Sequence, residues 1–502
     1  MAFIPTHLPW SILSSEAFLL SSWRSHKLLC NDNQVRSLTR CSLSDVESYA
    51  EISQNIRECY NEKETDGVLE FGVSSSIMAD SKLDIEKTLI PAILDASRGN
   101  NGVAASIMNA LIGSSCILTN RYNTIQNQNF EDPLSQQDCV KVDDKNLSCM
   151  SNRILLLIEG LKNNGDVVPD IVTYSLAHHF LSLDLACSDM ADQVLEEAVR
   201  KSKKVAGGKR RKLLAQARRQ KVSTFIEAEE NLKEILGDDF RVLLETDGFA
   251  VVNKPSGVPC FHKKMTTAGK IKRGAGKRKK GKVNKKDEQL QSSDISLEDA
   301  LVSCNVKLST LNPEALGLVH RLDRGTSGCM VLAKSNEMHT SLVSEFFLRR
   351  TKKKYLALVQ ESRSSSVSKK GHGLIEIPVN GRPAKSEYRL LKRYQFMADN
   401  DDEREAFASL LEFEIFTGRK HQIRIHAAEA LKSPVWGDSL YNADFGNGEI
   451  AKHGSDSNRI FLHACHLLIP KLGIDVESPI PEWWQPKLHA LRSNSVNDSE
   501  VE

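Results

Sequence analysis

The sequence predicts an α+β protein: a mixed, largely antiparallel central sheet flanked by helices, preceded by an α-helical N-terminal region. Three observations carry this. From residue 241 onward, short strand-like runs with turn signals outnumber helical runs and do not alternate regularly with them, which argues against a regular parallel α/β build. Residues 46–199 instead space their apolar residues as helices do, in "KLDIEKTLIPAILDASR" and "VAASIMNALIGSSCIL". And 502 residues are long for one hydrophobic core, so two or three units are expected.

Taken in order, residues 1–45 read as a transit peptide. They are serine-rich, carry Arg24, Lys27, Arg36 and Arg40, and through Ser44 hold only Glu16 and Asp32 as acids. The expected destination is the chloroplast, with the mitochondrion the alternative and a nucleus reached through a lysine run the third. No stretch approaches the ~20 consecutive apolar residues of a membrane span. The 11 cysteines are scattered with no CxxC pair, so neither a zinc site nor a disulfide framework is expected, and a reducing compartment fits.

Within the helical region of residues 46–199, "GDVVPDIVTYSLAHHFLS" resembles the pentatricopeptide repeat, whose arrays bind single-stranded RNA base by base. One repeat and a degenerate second fall short of the three an array needs, so an ordinary helical hairpin is an equal reading. A basic helical linker, 200–240, follows. Its segment 200–221 holds eleven Lys/Arg and no acid, and 263–286 holds twelve and no acid. Such runs draw polyphosphate backbones by counterion release. The second is glycine-dotted and sits in a Lys-rich insertion, 263–292, expected to be disordered. The catalytic domain is expected over 241–490, and a disordered tail over 491–502.

The strand-rich part contains "GLVHRLDRGTSGCMVLAK", residues 317–334. Its apolar flanks read as short buried strands and "RGTSG" as a turn. The charged group between them would lie at the mouth of a core, where charge is costly unless paired or used. An acid in a protein that gathers RNA repels its substrate unless it acts on it. Asp323 is therefore the expected carboxylate. Arg321 and Arg324 favour its ionised form, and an ionised carboxylate can be a covalent nucleophile; a structural ion pair is the plainer alternative. "HRLD" with the distant "DFG" at 444–446 does not make a kinase, whose loop is H-R-D with a close DFG and a Gly-rich loop on a lysine-bearing strand pair.

A second cluster, "FTGRKHQIRIHAAEALKSPVWGDSLYN", holds Arg419, His421, Gln422, Arg424 and His426. Read as a strand leading into a helix, it turns Gln422, Arg424 and His426 to one face. One polar face beside Ile423 and Ile425 looks like a site wall, and an arginine on it could pair with Asp323 and orient it.

With "VVNKPSG", "KKKYLALV", "GRPAKSEYRLL" and "FLHACHLL", these segments resemble, in order and spacing, the RluA-type pseudouridine synthases, in the form of a plant organellar-type member with an extra helical region. The resemblance covers residues ~241–484. It implies the pseudouridine synthase fold and isomerisation of uridine in RNA with no cofactor and no metal. It implies Asp323 as nucleophile and Tyr355 stacked on the uracil or taking the C5 proton. Arg424 is expected to pair with the aspartate, and Arg321 to flip the nucleotide or fill the gap it leaves. His320, Thr326, Lys353, Arg419, His421 and Gln422 are expected to contact the substrate. The partner is RNA (rRNA, tRNA or organellar mRNA), with no membrane and a monomeric enzyme. The N-terminal RNA-binding module of many relatives is not recognisable before residue 241. The rival reading is a non-catalytic RNA-binding or RNA-chaperone protein on the same fold.

Overall fold

The computed structural model describes residues 85–97, 100–113, 144–165, 167–184, 187–205, 222–262, 295–362, 364–397, 405–442 and 459–493. The expected transit peptide, most of the first basic run, the Lys-rich insertion through 292 and the DFG tripeptide lie outside them.

The N-terminal part is helical: α1 (Ile90–Ala96), α2 (101–113), α3 (Asp144–Gly165), α4 (Ile171–His179) and α5 (Ser188–Val205). The "PD" turn acts as a helix start. Asp170 caps α4, its carboxylate accepting from Thr173 N at 2.9 Å, while Asp170 N donates to Thr173 Oγ1 at 3.3 Å, a reciprocal capping box.

After α6 (Phe225–Leu236), whose Thr224 and Glu227 repeat that box, comes, among the described residues, one nine-stranded sheet. Its strands are β1 (Arg241–Glu245), β2 (Phe249–Lys254), β3 (Ser327–Ala333), β4 (Lys352–Glu361), β5 (His372–Ile375), β6 (Ser386–Met397), β7 (Glu405–Ile415), β8 (Leu462–Ile469) and β9 (Ile474–Glu477). The spatial order is β1-β2-β3-β8-β4-β7-β6-β5, with β9 beside β8. Every pairing is antiparallel except β3 with β8. The sheet is thus mixed and largely antiparallel, flanked by α6, α7 (Leu297–Ser303), α8 (Asn336–Phe347) and α10 (Gln485–Ser493).

β2 and β3 read as unbroken apolar runs because both faces are covered. Ala250, Val252, Met330 and Leu332 face one core cluster, and Phe249, Val251, Val331 and Ala333 face another, the period of two expected of strands. The single parallel joint, Ser327–Gly328 against His463–Ala464, is where the chain enters β3 from "HRLDRGT".

Three local expectations are corrected. The "GLV" flank is no strand; Leu318 makes one isolated bridge to Leu332, since Gly317 at φ +69° turns the chain out of extended geometry. "QIRIHAAEA" is not a strand but α9 (Gln422–Ile425) continued by a π turn, His426–Ala430. His421 at φ +61° reverses the chain before it, and a four-residue apolar–polar alternation cannot by itself separate strand from helix. Residues 491–493 are helix rather than tail, because Leu488 and Leu491 pack with Trp484.

Candidate active site

Asp323 lies on the loop that feeds β3. Thr326 N donates to the Asp323 carbonyl at 3.1 Å, closing a tight turn over Arg324 and Gly325. The loop is held from behind by the "NKPSGVPC" segment. Gly257 N donates to the Arg324 carbonyl at 2.8 Å, Arg324 Nε donates to the Gly257 carbonyl at 2.9 Å, and Ser256 Oγ donates to the Gly325 carbonyl at 2.6 Å. Lys254 has no exposed surface. Its Nζ donates to the carbonyls of Pro255 and Val258, each at 2.8 Å, and of Arg324 at 3.3 Å. Burial pushes this amine down to about 8, as low dielectric disfavours a charged ammonium. The two loops are therefore one locked unit, and the Asp323 side chain, 19% exposed, projects from it.

The opposing wall comes from α9. Arg424 Nη1 stands 4.0 Å from Asp323 Oδ2, and His421 Nε2 stands 3.8 Å from Asp323 Oδ1. Both side chains are steered by "GDSLY". Arg424 Nε and Nη2 donate to Asp438 at 2.6 and 2.8 Å, and Asp438 is fully buried. His421 Nδ1 and the Tyr441 hydroxyl are 2.9 Å apart, and Arg424 lies 5.1 Å over the Tyr441 ring. The charge of Asp438, followed by that of Asp323, holds the Arg424 guanidinium above its already high range against the opposing effect of burial. Burial lowers His421, with Asp323 opposing.

Tyr355 is buried on β4, and the β4–β8 register skips at this residue, between Lys354 and Leu356. Such irregularities re-aim a side chain at functional sites. Burial first, and the negative charge of Asp323 second, raise the phenol well above its usual range, so it is protonated near neutral pH.

Other predicted residues fall elsewhere. His320 stacks on Phe346 with ring centroids 4.6 Å apart and accepts from Val331 N at 3.0 Å. Burial, then the Lys353 charge, push it down to about 3, so it is a neutral strut for β3. Gln422 is buried, accepting from Thr417 Oγ1 and Arg419 N and donating to the Lys385 carbonyl and Ser386 Oγ. That occupies both ends of its amide. His426 Nε2 meets the Ile377 carbonyl at 3.1 Å, so it does not share a face with Arg424's site contacts. Thr326 is buried, and Arg419 Nε donates to the Pro383 carbonyl. Arg321 is exposed, its guanidinium 5.7 Å over Phe261. Lys353 lies 5.7 Å over Phe346, lowered to about 8 by burial and Arg349.

The structure thus gathers Asp323, His421 and Arg424 at one opening, with Tyr355 close enough to feel the aspartate's charge. It adds Asp438, Tyr441, Lys254 and Ser256, which sequence reasoning did not single out. The one readable signal was a carboxylate set in an apolar "VWGD" after an arginine that needs a partner. Among the described residues no cluster of His, Cys, Asp and Glu could hold a metal ion, and no helix is long and apolar enough to cross a membrane.

Comparison with known proteins gives the following similarities. A family profile described as RNA pseudouridylate synthase matches residues 248–429. The ribosomal large subunit pseudouridine synthase C of Escherichia coli strain K12 is 32% identical over 203 residues, 37% of this chain and 60% of that protein. An uncharacterized RNA pseudouridine synthase of Mycobacterium bovis is 40% identical over 188 residues, 36% of this chain and 57% of that protein. The chain thus spans less than two thirds of the length of these relatives. The solved structure of Human RNA Pseudouridylate Synthase Domain Containing 4 has a TM-score of 0.35 and 23% identity, covering 53% of this chain and 98% of that one. Residues 248–429 of this chain are thus similar to the RNA pseudouridylate synthase family.

Proposed function

We propose that this protein is an RNA pseudouridine synthase in which Asp323 is the covalent nucleophile. The observation that carries the reading is Asp323 itself: a partly exposed carboxylate on a locked loop, facing Arg424 at 4.0 Å and His421 at 3.8 Å. A carboxylate held only for structure would be buried and saturated with donors, as Asp438 is.

The isomerisation exchanges the C1′–N1 bond of uridine for a C1′–C5 bond, and the C5 proton is replaced by one on N1. One glycosidic bond replaces another, so no energy source or redox partner is required. Asp323 bonds transiently to the nucleotide while the freed base turns. Arg424, fixed by Asp438, stands 4.0 Å from the carboxylate and offsets its charge as the phosphates approach. Tyr355, held as the neutral phenol, supplies a flat wall and a proton donor beside the base; taking the C5 proton would first require its own proton to leave. Arg321 meets the RNA from which the nucleotide is drawn, a role supported by its exposure at the start of the loop. The acid-free basic runs support an RNA substrate of rRNA, tRNA or organellar mRNA, and the serine-rich start supports an organellar location.

The test is pseudouridine mapping across cellular RNA with and without the protein, repeated with Asp323→Ala. Loss of specific pseudouridines in both cases, with RNA affinity of the variant retained, is expected. Wild-type protein that binds RNA yet forms no pseudouridine on any cellular RNA would establish the non-catalytic reading instead.

A further inference from the structure

The family match begins at residue 248, so the N-terminal helices are an addition to the shared domain. Their seat on it is unusual for an appended module. α4 is buried on all sides from Thr173 to His179, as a helix inside a core is and a surface helix is not. This leaves none of those side chains to offer to RNA. The apolar core of the helical layer also runs into the synthase domain without a break, taking in Leu311 and Leu348.

The contact is made on α8, and it is polar as well as apolar. His178 Nδ1 and Thr340 Oγ1 are 2.6 Å apart. His179 Nε2 stands 3.3 Å from Glu345 Oε1, with neither side chain exposed, and Arg350 Nη1 reaches the same oxygen at 3.3 Å. The buried Glu345 carboxylate is matched by Arg350 with His179 beside it, and removing one member of such a buried group is costlier than never having placed it. The layer is thus tied to one register on α8.

α8 has two working faces. Thr340, Glu345 and Leu348 meet the helical layer, while Met338, Leu342 and Phe346 pack against β2 and β3. Phe346 is the residue that stacks on His320. His320 anchors to Val331 N and opens the loop that carries Asp323 three residues later. A continuous set of packed groups therefore links His179 to the nucleophile's loop through a single helix.

We propose that the N-terminal helical layer is a built-in brace: seated on α8 through His178–Thr340 and His179–Glu345, it holds Phe346 against His320 and so fixes the Asp323 loop. His179 and Glu345 are positioning residues, acting through α8. The rate consequence rests on the synthase reading above; the structural consequence does not.

The test uses the full chain. Hydrogen exchange is measured at residues 171–179 and 318–326, alongside pseudouridine formation, for wild type, Glu345→Ala, Glu345→Gln and Thr340→Val. Glu345→Ala should raise exchange in both segments and lower kcat roughly tenfold, with KM for RNA within about twofold of wild type. Glu345→Gln, which keeps an acceptor for Arg350, should restore both. Thr340→Val, which keeps volume and removes the hydroxyl's bonds to His178 and to the Glu337 carbonyl within α8, should shift both segments in the same direction by less. It keeps the test decisive if Glu345→Ala does not fold. Raised exchange confined to 171–179, with 318–326 and kcat unchanged, overturns the brace. Should the wild type make no pseudouridine, the synthase reading fails while the exchange data still decide this proposal.

Discussion

Arg424 grips Asp438, not Asp323. Two of its nitrogens lie 2.6 and 2.8 Å from the Asp438 carboxylate, and a third stands 4.0 Å from Asp323. Asp438 Oδ1 also accepts from Leu440 N at 3.1 Å and Tyr441 N at 3.4 Å, so the carboxylate closes its own turn while aiming the guanidinium. A planar fork held bidentately is oriented in a way that a single contact cannot achieve.

The first prediction follows from that geometry. Asp438→Asn keeps the shape but turns an amide N–H₂ toward the guanidinium. Arg424 should swing, and an error of about 1 Å near reacting atoms can cost about 10²-fold in rate. The expected outcome is a loss of that order in kcat with RNA affinity unchanged. Arg424→Lys should give a similar loss, and the double variant should be little worse than either single one, since neighbours acting as a unit are not additive. Multiplying losses would show that Asp438 acts independently of Arg424.

How far these arrangements were legible in the sequence depended on their range along the chain. The strands were readable, because β2 and β3 announce two covered faces by unbroken apolar runs. Asp323 was readable because a carboxylate between arginines and buried strands has few stable fates. The wall opposite was misread as a strand, since the reversal at His421 depends on a left-handed backbone that its residue type does not demand. His320, beside the aspartate in sequence, proved a strut because the chain turns between them. Asp438 went unassigned because its pairing with Arg424 is a tertiary contact across a π turn. Lys254 read as part of a turn, and nothing local says that three carbonyls converge on its amine.

Lys254 yields a second prediction, in which two terms of similar size oppose each other. Its fall from 10.5 to about 8 corresponds to roughly 3 kcal/mol against burying the charge at pH 7. The Pro255 and Val258 carbonyls, deprived of this donor, cost about 1 kcal/mol each, while the Arg324 carbonyl keeps Gly257 N. Lys254→Met should therefore change the unfolding free energy by less than about 2 kcal/mol. Activity should fall by about tenfold or more, because the Lys254 amine ties the Pro255 and Val258 carbonyls to that of Arg324 on the Asp323 loop. Urea denaturation and pseudouridine formation on the same preparation check this. A variant as active as wild type would remove Lys254 from the positioning of the loop.

Gly328, in the "TSG" that begins β3, has no such balance. It sits at φ +115°, a region that side chains rarely adopt. A β-carbon there would collide with the Ala464 carbonyl oxygen and stand 2.6 Å from the Ala464 nitrogen. Those atoms belong to the single parallel joint between the two halves of the sheet. Gly328→Ala should cost more than about 3 kcal/mol, seen as loss of soluble protein or a sharply lowered denaturation midpoint. A midpoint within experimental error of wild type would mean that β3 and β8 are not as close as described.

His463 sets the fourth prediction, a pH dependence. It is fully buried at the same joint, its Nδ1 2.9 Å from Ser327 Oγ and its Nε2 3.2 Å from the Ser478 carbonyl. The carbonyl can only accept, so Nε2 carries the proton and Nδ1 accepts from the serine. Burial pushes the ring down to about 4, against about 6.5 when unfolded. Above pH 6.5 the ring is neutral in both states, and its contribution is complete. Between 6.5 and 4 the unfolded chain binds a proton that the native ring refuses, so stability falls with pH. At pH 5 the loss amounts to about 1.5 units, or roughly 2 kcal/mol. His320 and His339, lowered to about 3 and about 4 by burial, act in the same direction, so the comparison must be differential. His463→Phe should be less stable than wild type at pH 7, having lost two hydrogen bonds. Its deficit should shrink by roughly 2 kcal/mol at pH 5. Parallel stability curves for the two proteins between pH 7 and 5 would show that His463 titrates normally in the folded state.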